Sequence, residues 1–264
     1  MRRLPTGLLL LAIASAPAPL GAQTLPPAEA EAPEVAEEGK QPEPGEEDQE
    51  KGEEARTREP LPVFSPPGRG TTRIRVGAAT RGEREDHPAL DALAPDHVAF
   101  TTEAQPELCW YLSAATDTRI DISLIDDRSS EPLLELTVPA GLEPGVQVLR
   151  LADHGVFLET GRVYQWFVAL VPDPERRSSD VIASGAVERI QLEPELSRAL
   201  AATVAGDDWR VYAGHGVWYD ALARLSARIS EDPRDRELRS LRIQLFEQVD
   251  LPQAAAHDRR ALGS

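Results

Sequence analysis

Between residues 96 and 192 short apolar runs alternate with turn residues. The runs predict strands at 97–101, 107–113, 119–125, 132–138, 146–151, 163–171 and 181–192. Residues 119–125 show the pattern best. Ile120, Ile122 and Leu124 fall on one face, with Arg119, Asp121 and Ser123 on the other. The same reading groups Leu108, Trp110 and Leu112 in one strand, and Tyr164, Trp166, Val168 and Leu170 in another. Seven short strands with short connections predict an antiparallel β-sandwich of the immunoglobulin-like kind. Two strands also carry apolar residues on their second face: Cys109 and Tyr111 opposite Trp110, and Phe167 and Ala169 opposite Trp166. That face needs a cover, and C-terminal helices are the expected one; an open binding surface is the alternative.

After residue 192 the apolar period changes from two to between three and four. Pro194 opens a helix over 194–204, and Asp207 or Asp208 caps a second through Trp209, Val211 and Tyr212. Gly214 and Gly216 flank His215 and break it. Trp218, Leu222, Leu225 and Ile229 then recur at helical spacing, closed by Pro233. Asp235 opens another helix, with Leu238, Leu241, Leu245 and Val249 on one stripe, and Pro252 starts a last one over 254–262. Ala255 follows Ala221 by 34 residues, a tetratricopeptide-like period. The first helix lacks the Gly and aromatic spacing of such repeats, so the expected arrangement is a helical hairpin packed on the sandwich.

The first 60 residues follow neither pattern. Met1-Arg2-Arg3, an apolar run from Leu8 to Ile13 and small residues after it have the order of a secretory signal peptide, expected at 1–22. The run is too short for a bilayer, which needs about 20 residues. Residues 23–60 hold thirteen acidic and four basic residues, six prolines and no aromatic ring. Such a composition cannot bury enough apolar area to offset chain ordering. The expected organisation is therefore a signal at 1–22, a disordered acidic Pro-rich linker at 23–67, a β-sandwich domain at 68–192 and a helical region at 193–264. Gly68 to Gly82 is basic and Gly-rich, with Arg73–Val76 as a short edge strand. The mature protein is expected to be periplasmic or secreted, without a membrane span.

Charge and chemistry narrow the function. A net charge of -17 over 264 residues argues against nucleic acid as a partner. One cysteine excludes an intramolecular disulfide framework, and both lysines, Lys40 and Lys51, precede the predicted fold. No nucleophile-elbow, zinc-protease, phosphate-loop or calcium-loop spacing is present. No two of His87, His97, His154, His215 and His257 lie three or four residues apart, so no metal and no cofactor are expected. Cys109 reads as a small buried hydrophobe. His215 and Asp220 are the polar site candidates, His215 doubling as a helix-bend residue bonded to backbone. Trp110, Tyr111, Tyr164, Trp166, Trp209, Trp218 and Tyr219 are candidates for structural core or interface. Leu158, Gly161 and Tyr164 have the spacing of a tyrosine corner, in which the phenol bonds back to the chain.

Several runs together resemble one family: Gly77-Ala-Ala-Thr-Arg81-Gly82, Leu90-x-x-Leu93-x-Pro95, Cys109-Trp110-Tyr111, Leu158-x-x-Gly161-x-x-Tyr164-x-Trp166, Gly185-x-Val187-x-Arg189 and Gly216-Val-Trp218-Tyr219-Asp220-Ala221-Leu222. The chain resembles, over about residues 75–260, the exported bacterial family called domain of unknown function 928. Some members have a cysteine after the Thr-Arg-Gly motif and another after the Tyr-x-Trp strand; here Glu83-Arg84 and Pro172-Asp173 stand there. The resemblance implies compartment and boundaries and no activity. The expected function is a non-enzymatic interaction module for another protein of the cell envelope. The alternatives are a carbohydrate-binding module stacking sugars on Tyr111, Trp209 or Tyr219, and a hydrolase whose carboxylates meet only in the fold.

Overall fold

Strict alternation of burial in 119–126 shows how this chain builds its sheets. Ile120, Ile122 and Leu124 are buried, and the residues between them face outward. The structure is a computed structural model and describes residues 64–66, 87–126, 128–129 and 131–263. The expected signal, the expected acidic linker up to residue 63, and the basic Gly-rich stretch with the expected edge strand and the Gly77–Gly82 motif lie outside the described residues. The strands are β1 (Leu90–Ala92), β2 (Ala99–Thr101), β3 (Glu107–Leu112), β4 (Arg119–Asp126), β5 (Pro132–Val138), β6 (Gly145–Arg150), β7 (Val163–Val171) and β8 (Val181–Arg189). The helices are α1 (Pro194–Ala202), α2 (Asp208–Gly214), α3 (Trp218–Glu231), α4 (Arg236–Gln248) and α5 (Pro252–Gly263).

The strands form two sheets, in the orders β1-β3-β6 and β2-β8-β7-β4-β5. Among these strands every pairing is antiparallel except one: β2 runs parallel to β8, with Ala99 opposite Val187 and Thr101 opposite Arg189. The expectation of a wholly antiparallel arrangement is corrected there. No short turn links β2 to β8, so no hairpin fixes their direction. Strand β1 was not expected; three residues are too few for a readable period. It packs against β7 and β8, bringing the two sheets into contact.

The second face of β3 is covered. All of Leu108 to Leu112 is buried. Helix α3 packs on β3 and α5 on β6, and the Tyr111 ring meets His257 edge-on at 5.6 Å. The outward face of β7 stays partly open, with Phe167 half-buried and Ile182, opposite Ala169 on β8, 40% exposed. Arg177, from the β7–β8 connection, reaches Asp121 of β4 (2.9 Å), which also accepts from Arg119 (2.7 Å) and Thr137 (2.9 Å).

Three local devices fix the helices and loops. Asp235 caps α4 by accepting from the N–H groups of Glu237 (2.8 Å) and Leu238 (3.0 Å). Helix α2 ends in a Schellman motif: Val217 N–H donates to Tyr212 O, Gly216 N–H to Ala213 O, and Gly216 takes φ 74°. Tyr164 is buried and its phenol oxygen accepts the Glu159 N–H at 2.9 Å, five residues back along the chain.

Phe64–Pro66 fall within the stretch expected to be an unpacked linker, yet Phe64 is only 5% exposed. The acidic, Pro-rich composition that predicts disorder stops near residue 60, and a phenylalanine has enough apolar area to hold a chain end down.

Candidate functional site

Three consecutive residues at the start of α3 reach three parts of the β structure. Successive helical residues point about 100° apart, so a helix end wedged among strands can bond in several directions at once. Trp218 Nε1 donates to Leu93 O at 2.9 Å, just past β1. Tyr219 Oη accepts from Trp166 Nε1 of β7 (2.9 Å) and donates to Ala186 O of β8 (3.0 Å). Asp220 accepts from the Thr102 hydroxyl at 2.6 Å and the Thr102 N–H at 3.2 Å, just past β2. All three side chains are buried. Behind them Ala221, Leu222, Leu225 and Ile229 enter the core.

Beside this junction lies a cleft of about 240 Å³ between α3 and the chain from Thr101 to Glu107. Asp220, Arg224, Glu103 and Glu107 supply its charge. Arg224 bridges Glu103 (3.0 Å) and Asp208 (3.6 Å), and Glu107 pairs with Arg150 at 2.9 Å. Burial raises the Asp220 carboxyl above its ordinary range, against hydrogen bonds from Thr101 and Thr102 that lower it. Burial also pushes the Tyr212 phenol up, and the Asp220 charge adds to that. The cleft can hold a small polar group, but its acids and its guanidinium already face partners.

Asp220 lines the cleft, whereas His215 is exposed at the end of α2 with Nδ1 bonded to Val211 O at 2.8 Å. The two are not brought together: the left-handed turn at Gly216 separates them. Tyr111, Trp209 and Tyr219 are 1%, 0% and 2% exposed, so none can stack on a sugar. Their apolar bodies were needed in the core. Trp110 and Trp166 are buried in β3 and β7, opposite Gln147 and Gly185. Burial pushes the Cys109 thiol up to about 12, with Glu107 adding to it, so the group is a thiol and no nucleophile. Among the described residues no cluster of His, Cys, Asp or Glu could hold a metal ion, and no helix is long and apolar enough to cross a membrane.

A family model described as Domain of Unknown Function (DUF928) matches residues 76–258. The chain belongs to this family. No curated protein matches the chain. The match runs from before β1 into α5, so sheets and helices are one DUF928 unit. Within it, the run from Gly216 to Leu222 has a structural explanation at each position just described. Gly185 has one too. A Cβ there would lie 2.8 Å from Trp166 Nε1 and 2.9 Å from the Ala94 Cβ. Gly185→Ala is therefore expected to destabilise the chain by about 1–3 kcal/mol through overpacking; chemical denaturation would read the loss, and an unchanged midpoint would contradict this packing.

The Asp220 shift gives a signed pH expectation. An aspartate ordinarily titrates near 3.9, and the folded value lies above that. The folded state thus holds its proton more tightly. The stabilisation from the protonated form is full below about 3.9 and is lost as pH rises through the raised value. Asp220→Asn keeps an acceptor for Thr102 and does not ionise. Its melting temperature, relative to the parent chain, is expected to rise with pH from about 3.5 to about 8; a difference that shrinks as pH rises would contradict the assignment.

Phe64, Arg224, Arg242 and Asp258 were not among the sequence candidates. The last two form a buried pair, with both guanidinium contacts at 2.7 Å, and Ser226 is a second partner of Arg242 at 3.2 Å. This pair ties α4 and α5 to α3.

Proposed function

We propose that this is an exported envelope protein whose folded part binds another protein by strand addition and catalyses no reaction. The observation that carries the reading is the outer edge of β5. Strand β5 pairs with β4 on one side and ends the five-stranded sheet on the other. It is seven residues long and carries Leu133 at 43% exposure. The other edge strands offer less: β1 and β2 have three residues each, and α5 packs on β6. An exposed sheet edge recognises an extended partner chain through main-chain hydrogen bonds, with side-chain pockets for specificity. The signal-like N-terminus supports export.

The same reading takes the fold as an immunoglobulin-like sandwich with α4 and α5 as a hairpin docked on it. The strand orders support this: β1, β3 and β6 take the A, B and E places, and β8, β7, β4 and β5 take G, F, C and C′. Tyr164, bonded backward at the start of β7, stands where a tyrosine corner stands in such a sandwich.

The test is in-cell crosslinking of the tagged mature protein beside its Leu133→Glu variant. Leu133 is at the surface, so the variant should keep its stability within about 0.5 kcal/mol. The expected result is capture of one envelope protein by the parent chain and its loss in the variant. Equal capture by both, or capture of no protein, would overturn the reading.

A further inference from the structure

Residues 64–66 precede the matched region 76–258, yet they are seated on it. The Phe64 ring meets Trp218 edge-on at 5.1 Å and stacks on His97 at 6.3 Å. Its backbone N–H donates to Gln248 Oε1 at 2.5 Å, and Ser65 N–H donates to Ala213 O at 3.3 Å. Helices α2, α3 and α4 and the chain before β2 thus converge on one aromatic side chain and two backbone N–H groups. Residues 64–66 belong to no helix or strand. One ring in an apolar pocket, with main-chain donors read on either side of it, is how a groove holds an extended peptide.

Among the described residues, the groups that hold the arm, Gln248, Ala213, Trp218 and His97, lie inside the family region, and the arm lies outside it. The seating is also incomplete. His97 Nε2, on the ring stacked with Phe64, is buried and has no hydrogen-bond partner among the described residues. A buried polar group left unpaired costs binding free energy, so a ligand that also reached this nitrogen would hold more tightly than the arm does.

We propose that this pocket is a docking site for an extended peptide bearing a phenylalanine, and that Phe64 is its built-in occupant. A partner segment of that kind binds by displacing the arm. The covalent link raises the arm's effective concentration, so the intact chain resists a free peptide that an emptied pocket would accept. This stands apart from the β5 edge, and either can fail alone.

The probe is a synthetic peptide of residues 61–67, Leu-Pro-Val-Phe-Ser-Pro-Pro, titrated by calorimetry into the mature chain and into its Phe64→Ala variant. A control peptide has alanine in place of the phenylalanine. The expected result is saturable binding to Phe64→Ala, with a Kd lower than that of the parent chain by about ten-fold or more, and no binding of the control. No saturable binding to a cooperatively melting variant would overturn the proposal, as would equal binding to variant and parent. Should Phe64→Ala fail to melt cooperatively, Phe64→Val, which still leaves most of the ring's space empty, is read by the same two outcomes.

Discussion

Trp218→Ala is expected to destabilise the fold by about 3–5 kcal/mol, the range for deleting a large buried ring. Three losses combine. The ring is fully buried, so truncation leaves a cavity at the start of α3. The Leu93 carbonyl loses its Nε1 donor. Phe64 loses the ring it meets edge-on. For a folded unit of this size the melting temperature should fall by roughly 10 °C. Trp218→Phe, which keeps a ring but not the donor, should fall between the two. If Trp218→Ala keeps the parent's melting temperature, the residue does not dock α3.

Asp258→Ala is expected to cost about 3–5 kcal/mol, because it strands a charge rather than because the pair was strongly favourable. Arg242 is 6% exposed and Asp258 is 0% exposed. Without Asp258 the Arg242 guanidinium keeps only the Ser226 hydroxyl among these contacts. Arg239, at 3.5 Å, loses the same partner. The double variant Arg242→Met with Asp258→Leu removes both charges and keeps apolar volume, so it should recover much of the loss. Urea denaturation of the three chains would measure this. A double variant no more stable than Asp258→Ala would show that the stranded charge is not the cause.

Strands with strict alternation were legible in the sequence. The expected range 119–125 falls within β4, whose Ile120, Ile122 and Leu124 are buried while the residues between them are not, since period two survives wherever one face is buried. Strand β1 was hidden because Leu93 and Ala94, beyond its end, are buried as well, which erases the alternation. The parallel pairing of β2 with β8 joins residues nearly ninety apart in the chain, and no local pattern encodes it.

The candidate site was legible in part. Trp218 fell on a stripe at helical spacing, whereas Tyr219 stood only as a candidate for core, interface or a sugar-stacking surface. Asp220 attracted attention through its nearness to His215, but a helix end and a left-handed glycine lie between them. Its partner, Thr102, is 118 residues away. The Arg242–Asp258 pair did leave a trace. Arg242 lies on the stripe Leu238, Arg242, Phe246, and Asp258 on the stripe Ala254, Asp258, Leu262. Opposite charges at core-facing positions of adjacent helices signal a buried pair.

The central claim is that Trp218, Tyr219 and Asp220 bind α3 to the strands so firmly that helices and sheets open as one unit. Native-state hydrogen exchange of the protein in increasing urea tests it most directly. The account predicts that peptides from α3 and α4 and peptides from β3 and β7 lose protection with one common free energy. Helical peptides that open at a clearly lower free energy than the strands would contradict it.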